Sequence, residues 1–355
     1  MSILRRPWYL VLPLLLPLGS VAAESRPWQI YLLFGQSNMA GGATAEAQDK
    51  IVHPRVKVLA YDNCSGQGRT HNQWYQASPS LHLCGTGMGL GDWFGRIVAD
   101  SMTQDTIALI PCAIPGVDID FFRKDVVSAR RGEFRIPPDN HWTGAYPWML
   151  ERLKLAQKKG VIKGVLLHQG EADWQDAARK AWPSKVAGIL SDLKADLGMG
   201  DVPLLVGELR RDGCCGAHNP YVATLAKSVP NGHVISSEGL AVVTTDAYHF
   251  NAAGLREFGK RYATTMVKQL RIPTSVEPIP GPPGRAWRVG GSSGALTVEF
   301  DRPQMRISLR DAEGRQVASG SGSRLQIPST TRRGMLFVQA DDGTRISSGT
   351  FLHLP

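Results

Sequence analysis

The feature that most constrains the fold is a series of short, nearly unbroken apolar runs separated by helical patterns. Runs without polar alternation are typical of parallel strands that are covered on both faces. The candidate strands are 30–34, 56–60, 107–111, 164–168 and 202–207, and the candidate helices are 89–102, 148–159, 177–197 and 252–270. This alternation predicts an α/β fold with three layers, in which a parallel sheet is flanked by helices on both sides.

The pattern changes after residue 270. Five prolines fall within 272–283, a composition that keeps a chain extended and predicts a linker over 272–287. Beyond it, short alternating apolar and polar runs at 296–300, 305–309, 316–318 and 335–338 are separated by Gly and Ser. Residues 288–355 are therefore predicted to form a small antiparallel β domain.

The first 23 residues have the order of a secretory signal peptide. Arg5 and Arg6 precede an apolar run over 9–18, and small residues at 21–23 provide a cleavage point. The run is short and interrupted by prolines, which makes it a poor membrane anchor. We therefore expect residues 24–271 to form an exported domain, located extracellularly, in the periplasm or at the cell surface, without a transmembrane span.

Export makes disulfides plausible for the five cysteines. Cys64 and Cys84 flank one loop-rich stretch and could form a bridge. The adjacent Cys214 and Cys215 could bond to each other or one could pair elsewhere, and Cys112, in an apolar strand, is expected to be a buried free thiol. Spacing alone does not determine the connectivity.

The formal net charge of +9 does not favour nucleic acid as a partner. The arginines are scattered along the chain, and no recognisable nucleic-acid-binding motif accompanies them. Most of these charges are expected to lie on a solvated surface.

A serine follows the first predicted strand directly, within Gly35-Gln36-Ser37-Asn38. In an open parallel sheet, ligands bind beyond the carboxyl ends of the strands. Ser37 is therefore a candidate nucleophile at the turn from strand to helix, although a serine there could equally cap the helix.

Asp246 and His249 lie three residues apart, just before the last predicted helix. A serine nucleophile needs a base to take its proton, and that base needs a carboxylate to orient it. The pair can meet within one loop, but the spacing alone is also common in capping or surface histidines.

Two further segments follow predicted strands at the same edge of the sheet. Gly116 could bring a backbone N–H to an oxyanion, and Gln169 carries an amide donor suited to the same site. Glu171 lies near enough to support His249, or to hold its own loop.

Together these segments resemble the SGNH hydrolases, which have a flavodoxin-like fold. Within them, Gly35 to Asn38 and His168 to Glu171 are similar to blocks of the carbohydrate acetylesterases and sialate O-acetylesterase-like proteins. The resemblance extends over about residues 28–270. One departure is Pro115, where the family usually has a second glycine next to Gly116.

The resemblance implies a serine esterase that needs no metal or cofactor and acts on acetylated carbohydrate. Ser37, His249 and Asp246 would be catalytic, with Ser37, Gly116 and Gln169 in the oxyanion hole and Glu171 as a supporting residue. Acetylxylan or a related plant polysaccharide is the expected substrate. The alternatives are O-acetylated sialic acid and, from another class, a glycan-binding protein with an inactive esterase fold.

The C-terminal domain resembles, more weakly, the small β domains that direct proteins through type IX secretion or attach them to the cell surface. This resemblance implies secretion machinery or a surface anchor as a partner. An accessory carbohydrate-binding module is the alternative.

Overall fold

The computed structural model describes residues 26–124, 134, 136–137, 144–271, 287–292, 295–311, 316–327, 334–341, 343 and 346–353. The predicted signal peptide and the predicted linker up to residue 286 lie outside these residues.

A seven-stranded sheet forms the centre of the first domain. All neighbouring strands are parallel except β3, which runs antiparallel to β2, and the strand order is β3-β2-β4-β1-β5-β6-β7. The strands are β1 Trp28–Gly35, β2 Val56–Leu59, β3 Trp74–Gln76, β4 Ile107–Ala113, β5 Gly160–His168, β6 Leu204–Gly207 and β7 Gly232–Ile235. The predicted α/β class is confirmed, with β1 between β4 and β5.

Helices cover both faces of this sheet. They are α1 Ser37–Ala40, α2 Leu90–Ser101, α3 Ala145–Gln157, α4 Asp176–Leu197, α5 Asn219–Ser228 and α6 Ala252–Arg271. Alternate residues of β1 enter two separate cores: Ile30, Leu32 and Phe34 face the side of α3, α4 and α5, whereas Tyr31 and Leu33 face α2 and α6. Because both faces are buried, β1 is apolar from Ile30 to Phe34.

Three strands and helices of the first domain were not predicted from the sequence: β3, β7 and α5. Both strands lie at the edges of the sheet, and most of their residues are only partly buried or exposed. Edge strands lack the unbroken apolar run that identified the central ones.

The C-terminal residues form a five-stranded antiparallel sheet, as predicted. Its strands are β8 Trp287–Ser292, β9 Ala295–Arg310, β10 Gln316–Gln326, β11 Gly334–Asp341 and β12 Ile346–His353. The antiparallel class was predicted, but the first and last of these strands were not. The runs 296–300 and 305–309, predicted as two strands, belong to the single strand β9, whose pairing with β10 shifts register between them. The strand therefore continues through the polar residues that the sequence pattern suggested as a turn.

Two disulfides connect Cys64 with Cys84 and Cys214 with Cys215, and Cys112 is a buried free thiol. No helix within the described residues combines the length and the apolarity needed to cross a membrane.

Candidate active site

The turn that carries Ser37 depends on the glycine two residues before it. Gly35 has φ +134°, and a Cβ at this position would lie 2.0 Å from the carbonyl oxygen of His168 on the neighbouring strand. Only glycine allows this backbone conformation together with so close an approach. Ser37 follows as the first residue of α1, where backbone N–H groups have no acceptor within the helix.

The loop before α6 brings His249 to this serine. His249 Nε2 lies 2.9 Å from Ser37 Oγ, and His249 Nδ1 lies 3.1 Å from Asp246 Oδ2. The His249 side chain is 40% exposed and that of Asp246 is 31% exposed. The structure therefore brings the three predicted catalytic residues together at an accessible surface.

The charge on Asp246 is stabilised by its own loop. Partial burial acts to raise the pKa of Asp246, but hydrogen bonds from the backbone N–H groups of Tyr248 and His249 and from the His249 ring outweigh it, and the net pKa is lowered. An ionised carboxylate can only accept, so the proton of a neutral His249 ring is on Nδ1. Nε2 is then left to accept the proton of Ser37.

A buried amide connects the serine turn with the histidine loop. Asn38 donates from Nδ2 to the carbonyl oxygen of Tyr248 (3.1 Å) and accepts at Oδ1 from the N–H of Phe250 (3.2 Å). It thus holds the residues on both sides of His249. Its Nδ2 also donates to Glu171 Oε1 at 2.8 Å, so Glu171, predicted as a possible support for His249, acts on that loop through Asn38.

Gly116 lies on the loop after β4, as predicted, and lines a cleft together with Ser37 and His249. Its φ of +79° is in the left-handed region. Glycine adopts this conformation without the strain that a side chain would add.

Gln169 follows β5, as predicted, but its amide does not point towards Ser37 as the sequence suggested. Its side chain is completely buried, and Nε2 donates to Asp173 Oδ2 (2.6 Å), to the carbonyl oxygen of Val117 (3.1 Å) and to Gln36 Oε1 (3.2 Å). Its Oε1 accepts from the indole N–H of Trp182. Because its donors are all directed into the protein, we do not place this amide in the oxyanion hole.

The Gln169 network braces two loops behind the serine. Asp173 Oδ2 also accepts from the N–H of Ile119 at 2.9 Å, which fixes the loop that carries Gly116. Gln36 Oε1 accepts from the N–H groups of Gly170 and Ala172. Burial raises the pKa of Asp173 to about 6, a rise that hydrogen bonds from Gln169 and Ile119 limit.

Sequence reasoning missed Asn38, Gln36 and Asp173 as positioning residues. Asn38 and Gln36 stand inside the block that identified Ser37, and their polarity directly after an apolar strand was the available signal. Asp173, four residues after Gln169, accepts a hydrogen bond from the Gln169 amide and so holds that amide inside the protein.

Two clefts meet at the Ser37–His249 pair, and Pro115 lines both. The first, of about 720 Å³, extends along Gly41 to Thr44 towards Ala252 and Leu255; we call it the Gly41 cleft. The second, of about 600 Å³, is lined by Gly116, Trp174 and Tyr248; we call it the Trp174 cleft.

Comparisons with known proteins identify the family of the chain. Residues 27–268 match the family model described as carbohydrate esterase, sialic acid-specific acetylesterase. A probable carbohydrate esterase of Arabidopsis thaliana is 27% identical over 198 residues, which cover 50% of this chain and 68% of that protein.

Two solved structures have a similar fold. The structure of NanS aligns with a TM-score of 0.56 at 15% identity, covering 69% of this chain and 99% of that one. The structure of a carbohydrate acetylesterase from Xanthomonas citri aligns with a TM-score of 0.52 at 18% identity, covering 88% and 75%.

Proposed function

The chain belongs to the carbohydrate esterase family of sialic acid-specific acetylesterases, and from this premise we propose that Ser37, His249 and Asp246 hydrolyse O-acetyl esters of carbohydrate. The observation that carries the proposal is the 2.9 Å contact between His249 Nε2 and Ser37 Oγ. This distance is within the range in which a base can take the proton of a nucleophile.

The reaction proceeds in two acyl transfers. Ser37 Oγ attacks the ester carbonyl carbon while its proton passes to His249 Nε2, and the bond to the sugar oxygen then breaks as Nε2 returns the proton to that oxygen. Water repeats the sequence on the acyl-enzyme and releases acetate. Asp246 stabilises the imidazolium that forms in each half-reaction.

The backbone N–H groups of Ser37 and Gly116 are our proposed donors to the tetrahedral oxyanion. Ser37 supplies the N–H of the first helical residue, and Gly116 lines the same cleft. Donors placed for the oxyanion act mainly on the barrier. Gln169 is left out of this group because its amide is engaged within the protein.

For the substrate, we propose acetylated xylan or a related plant polysaccharide, with O-acetylated sialic acid as the second candidate. The test is acetate release by the purified protein from acetylated xylan, from O-acetylated sialic acid and from a long-chain aryl ester. Ser37→Ala is the control, and it should lose activity on every ester that the wild type cleaves. Equal activity of this variant would contradict the proposal, and turnover of the long-chain ester alone would indicate a lipase.

A protein that only binds glycans is the alternative from another class. The contacts within Ser37, His249 and Asp246 favour the enzyme, since binding alone would not need a nucleophile, a base and an orienting carboxylate in hydrogen-bonding order. Glycan binding without any acetate release would support the alternative.

We also propose that the protein is secreted. The signal-like residues 1–23 and the two disulfides support this, because disulfides persist in oxidising compartments. Sequencing the amino terminus of exported protein should give a start near residue 24, and retention of the intact chain in the cytosol would contradict it.

We assign the C-terminal β sheet to sorting or surface attachment rather than to catalysis. Every proposed catalytic residue lies before residue 250. Truncation after Pro283 should leave hydrolysis of a small acetyl ester unchanged but keep the protein from reaching, or from staying at, the cell surface. Loss of hydrolysis would contradict this division.

A further inference from the structure

Two large aromatic side chains are exposed beside the candidate active site. Trp174 is 62% exposed and Tyr248 is 47% exposed, and both line the Trp174 cleft together with Ser37 and His249. Among the described residues, Phe337 of the C-terminal sheet is the other large aromatic with comparable exposure. Scattered exposed apolar residues are ordinary, whereas two at one catalytic cleft point to a ligand.

The backbone beneath both aromatics is fixed by hydrogen bonds to polar side chains. The N–H of Tyr248 donates to Asp246 Oδ1 at 2.7 Å, and its carbonyl oxygen accepts from Asn38. Trp174 directly follows a 3₁₀ turn, Glu171–Asp173, which Gln36 holds through the N–H of Ala172. Rings on a fixed backbone lose little conformational entropy when a ligand covers them.

The charges at the clefts favour a neutral ligand. Apart from His249 and the neutral phenol of Tyr248, the ionisable side chains among the described residues that line the two clefts are the carboxylates Glu46, Asp246 and Glu171. Glu46 is paired with Arg256. Within this part of the chain, no Arg or Lys lines either cleft to receive the carboxylate of an acidic sugar.

We propose that Trp174 and Tyr248 form a stacking platform for a neutral pyranose ring of the acetylated substrate. This inference rests on the proposed esterase function and specifies its substrate class. One face of a pyranose carries C–H groups, which pack on aromatic rings, while its hydroxyls remain in water. The sugar part of the ester then occupies the Trp174 cleft, and the acetyl group lies towards the Gly41 cleft.

The kinetic test compares a sugar ester with an ester that has no ring. kcat and KM are measured for acetylated xylo-oligosaccharide and for ethyl acetate with Trp174→Ala, Tyr248→Ala and the control Phe337→Ala. The ratio of kcat/KM for the oligosaccharide to that for ethyl acetate should fall about tenfold in each platform variant, mainly through KM. Phe337→Ala should keep the wild-type ratio. An unchanged ratio in both platform variants would overturn the platform.

A binding test separates the platform from the chemistry. In a Ser37→Ala background, calorimetry measures the affinity for xylotetraose and for N-acetylneuraminic acid, with and without Trp174→Ala. Tighter binding of xylotetraose, weakened about tenfold by Trp174→Ala, supports the platform even if the esterase assay fails. Preference for N-acetylneuraminic acid, or an affinity for xylotetraose that is independent of Trp174, would contradict it.

Discussion

Two groups of residues at the serine turn differ in burial and in hydrogen bonding. We call the group that lines the cleft the front and the group that is buried behind Ser37 the back. At the front, the side chains of Ser37, His249 and Asp246 are partly exposed and hydrogen-bonded to one another in order: Asp246 to His249, and His249 to Ser37. At the back, Gln169 and Asp173 are buried and each makes bonds to several backbone or side-chain groups.

The difference separates chemistry from stability. A half-exposed group can be removed at little cost in folding free energy, because water replaces its hydrogen bonds. A buried polar group that loses its partner bears the full desolvation penalty. We therefore expect front variants to lose turnover without unfolding, and back variants to lose stability first.

The largest effect should come from the front. His249→Ala should lower kcat on a small acetyl ester by roughly 10⁴- to 10⁶-fold, because Ser37 then has no base. The change in the free energy of unfolding should stay within about 0.5 kcal/mol. Kinetics are measured beside a thermal melt of the same preparation, and a large drop in Tm would break the distinction between front and back.

Gln169→Ala tests the back. It leaves the Trp182 indole N–H without its acceptor and removes one of the two donors to Asp173, so that only the Ile119 N–H remains, and it should lower the free energy of unfolding by about 3 kcal/mol. Turnover should fall along with stability, since the Gly116 loop loses a brace. A large loss of kcat with an unchanged Tm would instead return Gln169 to the oxyanion hole.

Asn38 lies between the two regions and sharpens the comparison. Asn38→Asp removes the donor that binds Glu171 and Tyr248 and places a second carboxylate beside Glu171. We expect kcat to fall by about 10- to 100-fold, with KM changing less, as the histidine loop moves from Ser37. Glu171→Gln, which keeps an acceptor for Asn38, is the matched control and should stay within a few-fold of wild type. Equal kcat in both variants would remove Asn38 from the positioning of His249.

The smallest predicted effect is a pH dependence of the back. The pKa of Asp173 is raised to about 6, chiefly by burial, with a contribution from the Asp118 carboxylate. Between about pH 4 and 6 the unfolded chain therefore releases a proton that the folded chain keeps, and the free energy of unfolding falls as pH rises through this window.

Asp173→Asn removes this titration and keeps an acceptor for Ile119. Above pH 6 the variant should be more stable than wild type by on the order of 2 kcal/mol, and near pH 4 the two should converge. Asp92, whose pKa is also raised, to about 7, titrates in both proteins. The difference between their free energies of unfolding, measured by urea at each pH, therefore reports the titration of Asp173 alone. Parallel stability profiles from pH 4 to 8 would show that Asp173 does not titrate as described.

The order of elements along the sequence predicted the central strands and the residues that follow them. Central strands buried on both faces have apolar runs without interruption, and residues just after them must lie at one edge of the sheet. This placed Ser37, Gly116 and Gln169 at one edge, whereas Asp246 and His249 were identified by their spacing within the loop before the last helix.

The same pattern does not predict the direction in which a side chain points. The position of Gln169 after β5 fixes its place in the sheet but not whether its amide turns towards solvent or towards Asp173. Two buried partners, Asp173 and the Trp182 indole, decide this, and both contacts appear only in three dimensions. Strand β7 was not predicted for a related reason: most of its residues are only partly buried or exposed, so its sequence has no unbroken apolar run.

The central claim is that Ser37 is the nucleophile, and covalent labelling tests it most directly. Wild-type protein is treated with diisopropyl fluorophosphate, digested and mapped by mass spectrometry. We predict a single adduct on the peptide containing Ser37, no adduct in Ser37→Ala, and much slower labelling in His249→Ala, since the base activates the hydroxyl. Loss of activity with the adduct on a different residue, or esterase activity that persists with Ser37 fully labelled, would contradict the claim.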